Sequence, residues 1–218
     1  MTAASSVVVV AGGGRVRDEI RDEGAGALVI AADGGADEAL RVGLHVDILV
    51  GDLDSVTPEG LRAVEEAGAA VHRHPVDKDR TDLELALAEA VEAGAPRILV
   101  AGGDRGRFDF VLGNALVLAD PGLADVEVDA WFGEATVHVV RSERRIPGRQ
   151  GDLLSLVAVG GPARGVRTEG LRWALDGQDL PAGVGLGISN EFLGDTALVE
   201  LREGVLLAIR PGRDLPEA

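Results

Sequence analysis

Five short apolar runs, each ending in glycine or acidic residues, constrain the fold of the first half of the chain more than any other feature. They are "SVVVVAGGG" (Ser6–Gly14), "ALVIAADGG" (Ala27–Gly35), "DILVGDLDS" (Asp47–Ser55), the weaker "AAVHRHPV" (Ala69–Val76) and "RILVAGGDRG" (Arg97–Gly106). Continuous Val, Ile and Leu, rather than strict alternation, is what a parallel sheet covered on both faces requires. The intervals hold crossover helices. In "TDLELALAEAVEAG" (Thr81–Gly94), Thr81 and Glu84 fit a capping box. Leu83, Ala86, Leu87, Ala90 and Val91 make one stripe, and Gly94 ends the helix. "FDFVLGNALVLADPG" (Phe108–Gly122) is a second helix, stopped by Pro121.

After residue 124 the texture changes. "VEVDAWFG", "ATVHVVRS", "DLLSLVAVG", "ARGVRTEG", "ALVELREG" and "VLLAIRPG" are short, several alternate, and most end in glycine or a polar turn. That pattern predicts antiparallel β structure. The expected fold class is α/β plus all-β. An open, mostly parallel Rossmann-like sheet with flanking helices spans 1–124, and an antiparallel β-sandwich spans 125–218.

Composition narrows the function. With 21 Lys+Arg against 37 Asp+Glu the net charge is −16, which argues against nucleic acid as a partner. Phosphorylated small molecules held through a divalent cation remain compatible. There is no cysteine, hence no disulfide frame and no thiolate metal site. The opening "MTAASSVVVVAGGG" has neither the basic region nor the apolar length of a signal peptide, and no run is long enough to span a membrane. The expected location is cytoplasmic, with no membrane partner.

In an open parallel sheet, ligands bind at the carboxyl ends of the strands. Those ends carry, in order, Gly12–Gly14, then Asp33 with Gly34 and Gly35, then Gly51, Asp52, Asp54 and Ser55. After the fourth run come Asp77, Lys78, Asp79, Arg80, Thr81 and Asp82; after the fifth, Asp104, Arg105, Arg107 and Asp109. Each alone has a plain structural reading as turn, cap or solvated loop. "AGGGRV" also departs from the dinucleotide-binding glycine pattern. Together they line one edge of one sheet. If the third strand runs on through Asp54, Asp52 and Asp54 point to the same side. With Asp82 or Asp33 they make a hard oxygen site suited to Mg²⁺ bridging to phosphates. Lys78, Arg105 and Arg107 are then available for phosphate oxygens.

"ADGGA" (Ala32–Ala36), "GDLDS" (Gly51–Ser55), "DKDRTDLELAL" (Asp77–Leu87) and "GGDRGRFDFVLGN" (Gly102–Asn114) occur in the order seen in thiamine pyrophosphokinases. "RTEGLRWALDG" (Arg167–Gly177) and "GLGISNEF" (Gly185–Phe192) resemble that family's β-domain signatures. The likeness runs from about residue 7 to 210, nearly the whole chain. It implies Mg²⁺-dependent transfer of a pyrophosphoryl group from ATP to thiamine, giving thiamine diphosphate and AMP. It further implies a homodimer with the active site near the subunit interface. The catalytic and metal-contacting residues would be Asp52, Asp54 and Asp82. The nucleotide and phosphate set would be Gly13, Asp33, Gly34, Lys78, Asp79, Thr81, Arg105, Arg107, Asp109 and Asn114. Thiamine would meet Trp173, Ser189 and Asn190 in the β-domain. An indole face suits a cationic thiazolium, although Trp173 also reads as ordinary core. Either Asp54 or Asp82 is a candidate to accept the hydroxyl proton.

The chain departs from the family in two places. Phe110 stands where many members have histidine, and Val46 where many have proline. The alternatives are a pyrophosphokinase acting on another alcohol such as a hydroxymethylpterin, and a non-catalytic thiamine or nucleotide binder. A sugar-nucleotide transferase would leave the "KDRTD" block unexplained. An aspartate-nucleophile phosphatase would carry its paired aspartates after the first strand, not the third.

Overall fold

The structure, a computed structural model, describes residues 4–77 and 79–212. The chain separates into two compact units between Gly133 and Glu134.

The first unit alternates strands and helices: β1 (Val7–Ala11), α1 (Ile20–Gly24), β2 (Leu28–Ala32), α2 (Gly35–Arg41), β3 (Ile48–Gly51), α3 (Pro58–Glu66), β4 (Ala70–Arg73), α4 (Asp82–Glu92), β5 (Arg97–Gly102), α5 (Phe108–Val117) and β6 (Glu127–Phe132). The strand order is β4-β3-β2-β1-β5-β6, and every pairing is parallel. Within β1 all five residues are buried, as a strand covered on both faces demands. Val8, Val10, Val29, Ala31, Leu49, Leu99 and Ala101 form one cluster with Ala36 and Ala39 of α2 and Val64 of α3. Alternate residues Val7, Val9, Ile30, Val50, Ile98 and Val100 are buried as well, and α4 packs across β1, β2 and β3. The chain winds outward from β1 through β2, β3 and β4, then crosses back to β5 on the other side of β1. Ligands favour such a reversal point, at the carboxyl ends of the strands.

Glu127–Phe132, grouped with the strand-rich second half on its alternating pattern, pairs in parallel with β5. The alternation misleads because Asp129 is buried, facing Arg97 at 3.7 Å, rather than pointing to solvent.

The second unit holds β7 (Ala135–Val140), β8 (Glu143–Pro147), β9 (Leu153–Glu169), β10 (Asp176–Leu180), β11 (Asn190–Glu191), β12 (Thr196–Glu200) and β13 (Glu203–Arg210). Its pairings are antiparallel. The long β9 pairs with β13 through Ser155–Val159, then with β10 and β12 through Ala163–Glu169. Leu154, Leu156, Val166, Phe192, Val199 and Leu206 belong to a core cluster of this unit. Among the described residues no helix is long and apolar enough to cross a membrane.

Candidate active site

A cleft of about 940 Å³ opens at the carboxyl ends of the first unit's strands. Asp33 reaches it from the turn after β2. Its backbone adopts φ 46°, a left-handed conformation that aspartate tolerates better than most residues. Its N–H donates to Val50 O at 2.9 Å, which ties the turn to β3. Only 7% exposed, its carboxyl is raised above the usual carboxylate range, chiefly by burial. Ser55 opposes that shift by hydrogen bonding, while the charges of Asp82 and Asp54 add to it.

Asp82 opens α4. Thr81 Oγ1 accepts from Glu84 N at 3.2 Å, and Glu84 Oε2 accepts from Thr81 N at 2.7 Å. This reciprocal cap fixes the first turn and the direction of Asp82. Between Asp33 and Asp82 lies Gly51, with φ 146°. A Cβ there would stand 3.0 Å from Asp82 Oδ1 and 3.1 Å from the Asp33 Cβ. The glycine therefore lets the two acidic side chains draw together across the strand end.

Asp52 completes the group. One carboxylate oxygen from each of Asp33, Asp52 and Asp82 lies within 4.8 Å of the others. The expected continuation of the third strand through Asp54 does not occur. β3 ends at Gly51, and Leu53 turns to φ 66° with its side chain against the core. The pleat that would have aimed Asp52 and Asp54 the same way is therefore absent. Asp54 lies outside the three-carboxylate group, and its Oδ1 accepts from Ser55 Oγ at 2.8 Å.

The other sequence candidates sort as follows. Gly13, Gly34, Asp79, Thr81, Arg105, Arg107 and Asn114 line the cleft. Gly13 O accepts from Arg105 N at 2.6 Å, and Asn114 Nδ2 donates to Gly103 O at 2.9 Å. These bonds tie the glycine loops after β1 and β5 to each other and to α5. Asp109 pairs with Arg107 at 2.6 Å, and that bond holds its carboxyl below the usual range. The Arg107 guanidinium also lies 4.8 Å from the centre of the Phe110 ring. Lys78 lies outside the described residues.

In the second unit Trp173 is 56% exposed, so it is not core. Its backbone N–H donates to Asn190 Oδ1 at 3.0 Å, and Asn190 Nδ2 donates to Trp173 O at 2.7 Å. Ser189 takes φ 58°, with its N–H on Ser155 Oγ at 3.0 Å. Arg172 lies 5.0 Å from the indole centre. Val184, Leu186, Ile188 and Leu193 are exposed apolar residues of the same unit.

Sequence reasoning passed over Asp37 and Glu38, which also line the cleft, as do Arg80 and Phe110, noted in the sequence without a site role. Asp37 and Glu38 look like ordinary first-turn acids of a helix. Their only sequence signal is that they directly follow the "DGGA" turn.

The donor set of the carboxylate group is all oxygen, partly buried and flanked by arginines. It fits a hard divalent cation that also contacts a polyphosphate.

Residues 25–128 match the family model described as "Thiamin pyrophosphokinase, catalytic domain", and residues 134–206 match "Thiamin pyrophosphokinase, vitamin B1 binding domain". The chain is 26% identical to a thiamine pyrophosphokinase of Bacillus subtilis, over 84% of this chain and 86% of that one. It is 27% identical to thiamine pyrophosphokinase 1 of Oryza sativa, over 75% of this chain and 71% of the relative. The crystal structure of the Bacillus subtilis protein superposes with a TM-score of 0.84 at 26% identity, covering 95% of this chain and 99% of that one.

Proposed function

The chain belongs to the thiamin pyrophosphokinase family and is a thiamine diphosphokinase, and from that premise we propose how its residues divide the reaction. The reaction is attack of the thiamine hydroxyl on the β-phosphorus of ATP, with AMP as leaving group and thiamine diphosphate as product. The observation that carries this reading is the convergence of Asp33, Asp52 and Asp82 from three separate elements at the strand ends.

Asp33, Asp52 and Asp82 would hold Mg²⁺. When bound, the ion neutralises polyphosphate charge and orients the phosphoryl groups. Arg105 and Arg107, with Lys78, take phosphate oxygens. Gly13 and Gly34 let the backbone approach the nucleotide closely, beside Asp79, Thr81 and Asn114. Asp109 keeps Arg107 in place rather than touching the nucleotide. Asp54, outside the cation set, accepts the proton of the thiamine hydroxyl as the bond to phosphorus forms. Little covalent chemistry falls to the protein, whose task is in-line positioning and charge neutralisation.

Thiamine is held by the second unit, read as a β-sandwich, and the first unit is read as a Rossmann-like catalytic domain. Trp173 gives its exposed face to the thiazolium, displacing Arg172 from it. The mutual hydrogen bonds of Asn190 and Trp173 fix the backbone behind that face, and Ser189 offers its hydroxyl. The protein acts in the cytoplasm as a homodimer with the site near the subunit interface. Supporting the dimer, α5 buries none of its residues and exposes Phe108, Phe110, Leu112 and Leu116.

The test is a product assay with purified protein, Mg²⁺, ATP and thiamine. Equimolar AMP and thiamine diphosphate are expected. ADP with thiamine monophosphate would overturn the reaction type, and AMP formation only with a pterin alcohol would overturn the acceptor.

A further inference from the structure

Asp37 has a bonding pattern that the site described above does not use. It lies in the first turn of α2, four residues after Asp33. Its Oδ2 accepts from Thr57 N at 2.8 Å and its Oδ1 from Thr57 Oγ1 at 2.6 Å. Thr57 is also the N-cap of α3, where its Oγ1 accepts from Gly60 N at 3.0 Å. The hydroxyl has one proton, which goes to Asp37, so its lone pairs are left for the Gly60 amide. The chain from Gly60 N–H through Thr57 O–H to the Asp37 carboxylate runs in one direction, and each bond polarises the next.

The approach is close enough to constrain sequence. A Cβ on Gly60 would fall 2.0 Å from Asp37 Oδ1. Any larger residue there would push Asp37 off Thr57.

What this latch closes is the segment carrying Asp52 and Asp54. That segment leaves β3 at Gly51, passes through the left-handed Leu53 and enters α3 after Thr57. Asp33 holds its middle through Ser55 N at 3.3 Å, and Asp37 holds its end through Thr57. Both anchors come from one five-residue stretch, "DGGAD". A left-handed non-glycine residue is a conformation that surrounding contacts must enforce. At 2.8 and 2.6 Å the two Asp37 bonds are shorter than the 3.3 Å bond by which Asp33 holds Ser55 N.

We infer that Asp37 is a positioning residue whose double hydrogen bond to Thr57 fixes the Asp52–Ser55 loop, and so sets the affinity of the cation site without contacting the ion. This inference rests on the reading of Asp52 as a cation ligand. Partners that orient a metal ligand at one remove typically change affinity or activity by about 10- to 100-fold when lost.

The test uses the full chain and Mn²⁺ as probe, with no substrate turnover required. Asp37→Ala should weaken Mn²⁺ binding on the order of 10-fold or more and speed amide hydrogen exchange through residues 52–57. In turnover it should raise the Mg²⁺ concentration for half-maximal rate while leaving KM for thiamine unchanged. Asp37→Asn restores an acceptor for Thr57 N and should recover most of the Mn²⁺ affinity. Thr57→Val, which removes only the hydroxyl bonds, should shift affinity in the same direction by less. Val64→Ala destabilises α3 from its buried face and serves as the control for a purely structural effect; it should leave Mn²⁺ affinity at the parent value. The inference is overturned if Asp37→Ala lowers the melting temperature as Val64→Ala does but leaves Mn²⁺ affinity and exchange at 52–57 unchanged. Parent protein that binds Mn²⁺ but forms no thiamine diphosphate would refute the proposed reaction and leave the latch standing.

Discussion

Helices α4 and α5 are close in length, at 11 and 10 residues, and both follow strand-end loops that line the cleft. They are built in opposite ways. α4 has a complete capping box and buries Leu83, Ala86, Leu87 and Ala90. α5 has no side-chain cap bond, although it is the more apolar of the two by sequence, and buries nothing. The difference separates two meanings of an apolar stripe. On α4 the stripe is core, and it holds Asp82 still. On α5 it is surface, left exposed among the described residues.

The largest contrast should appear in turnover. Asp82→Asn removes a carboxylate of the cation group and should lower kcat/KM about a thousandfold or more, with the fold intact by circular dichroism. Arg107→Ala, at the start of α5, should raise KM for ATP on the order of tenfold. Equal losses would break the division between a fixed acidic anchor and an exposed cationic one.

Stability should separate the helices next. Leu83→Ala should cost about 2–4 kcal/mol in urea unfolding, because it opens a cavity in a packed interior. Leu112→Ala should stay within about 0.5 kcal/mol at concentrations where the protein is monomeric. Leu112→Asp should instead shift the sedimentation equilibrium of the proposed dimer toward monomer. If Leu112→Ala costs as much as Leu83→Ala in the monomer, α5 is packed in solution and the comparison fails.

Thr81→Ala should cost about 1 kcal/mol through loss of the capping box. The matching change at the start of α5 has no cap bond to lose. Urea midpoints of the two variants measure the difference.

The smallest expected effect concerns pH. The Asp33 carboxyl is raised above its ordinary 3.8, so the folded chain holds that proton more tightly than the unfolded one. Stability therefore falls as pH rises from 3.8 through the folded-state value, and the penalty is complete above it. Asp33→Asn, which tolerates the left-handed backbone, should raise the melting temperature of the metal-free protein at neutral pH. The gain should shrink to nothing as pH falls below 3.8. A gain that persists unchanged in acid would place its origin elsewhere.

Much of this was legible in the sequence. The continuous apolar runs gave β1, β2, β3 and β5, and Thr81 with Glu84 announced the start of α4. The sequence grouped Asp52 and Asp54 with Asp82 or Asp33; what it could not supply was that Asp33 and Asp82 both meet Asp52 while Asp54 stays outside. That depends on strand order, with β2 between β1 and β3, and on the turn at Leu53 that takes Asp54 away from Asp52. The Asp37–Thr57 bonds join residues 20 apart and leave no local pattern. The exposure of α5 was hidden for a similar reason, since periodicity reports that a face is apolar and not what covers it.

The measurement that tests the central claim most directly is Mn²⁺ binding in the presence of ATP, followed by electron paramagnetic resonance. It compares the parent with Asp33→Asn, Asp52→Asn, Asp82→Asn and Asp54→Asn. The expected result is a tight protein-dependent site in the parent and in Asp54→Asn, weakened at least tenfold in the other three. Unchanged binding in all three, or loss of the site in Asp54→Asn alone, would contradict the assignment of the cation to Asp33, Asp52 and Asp82.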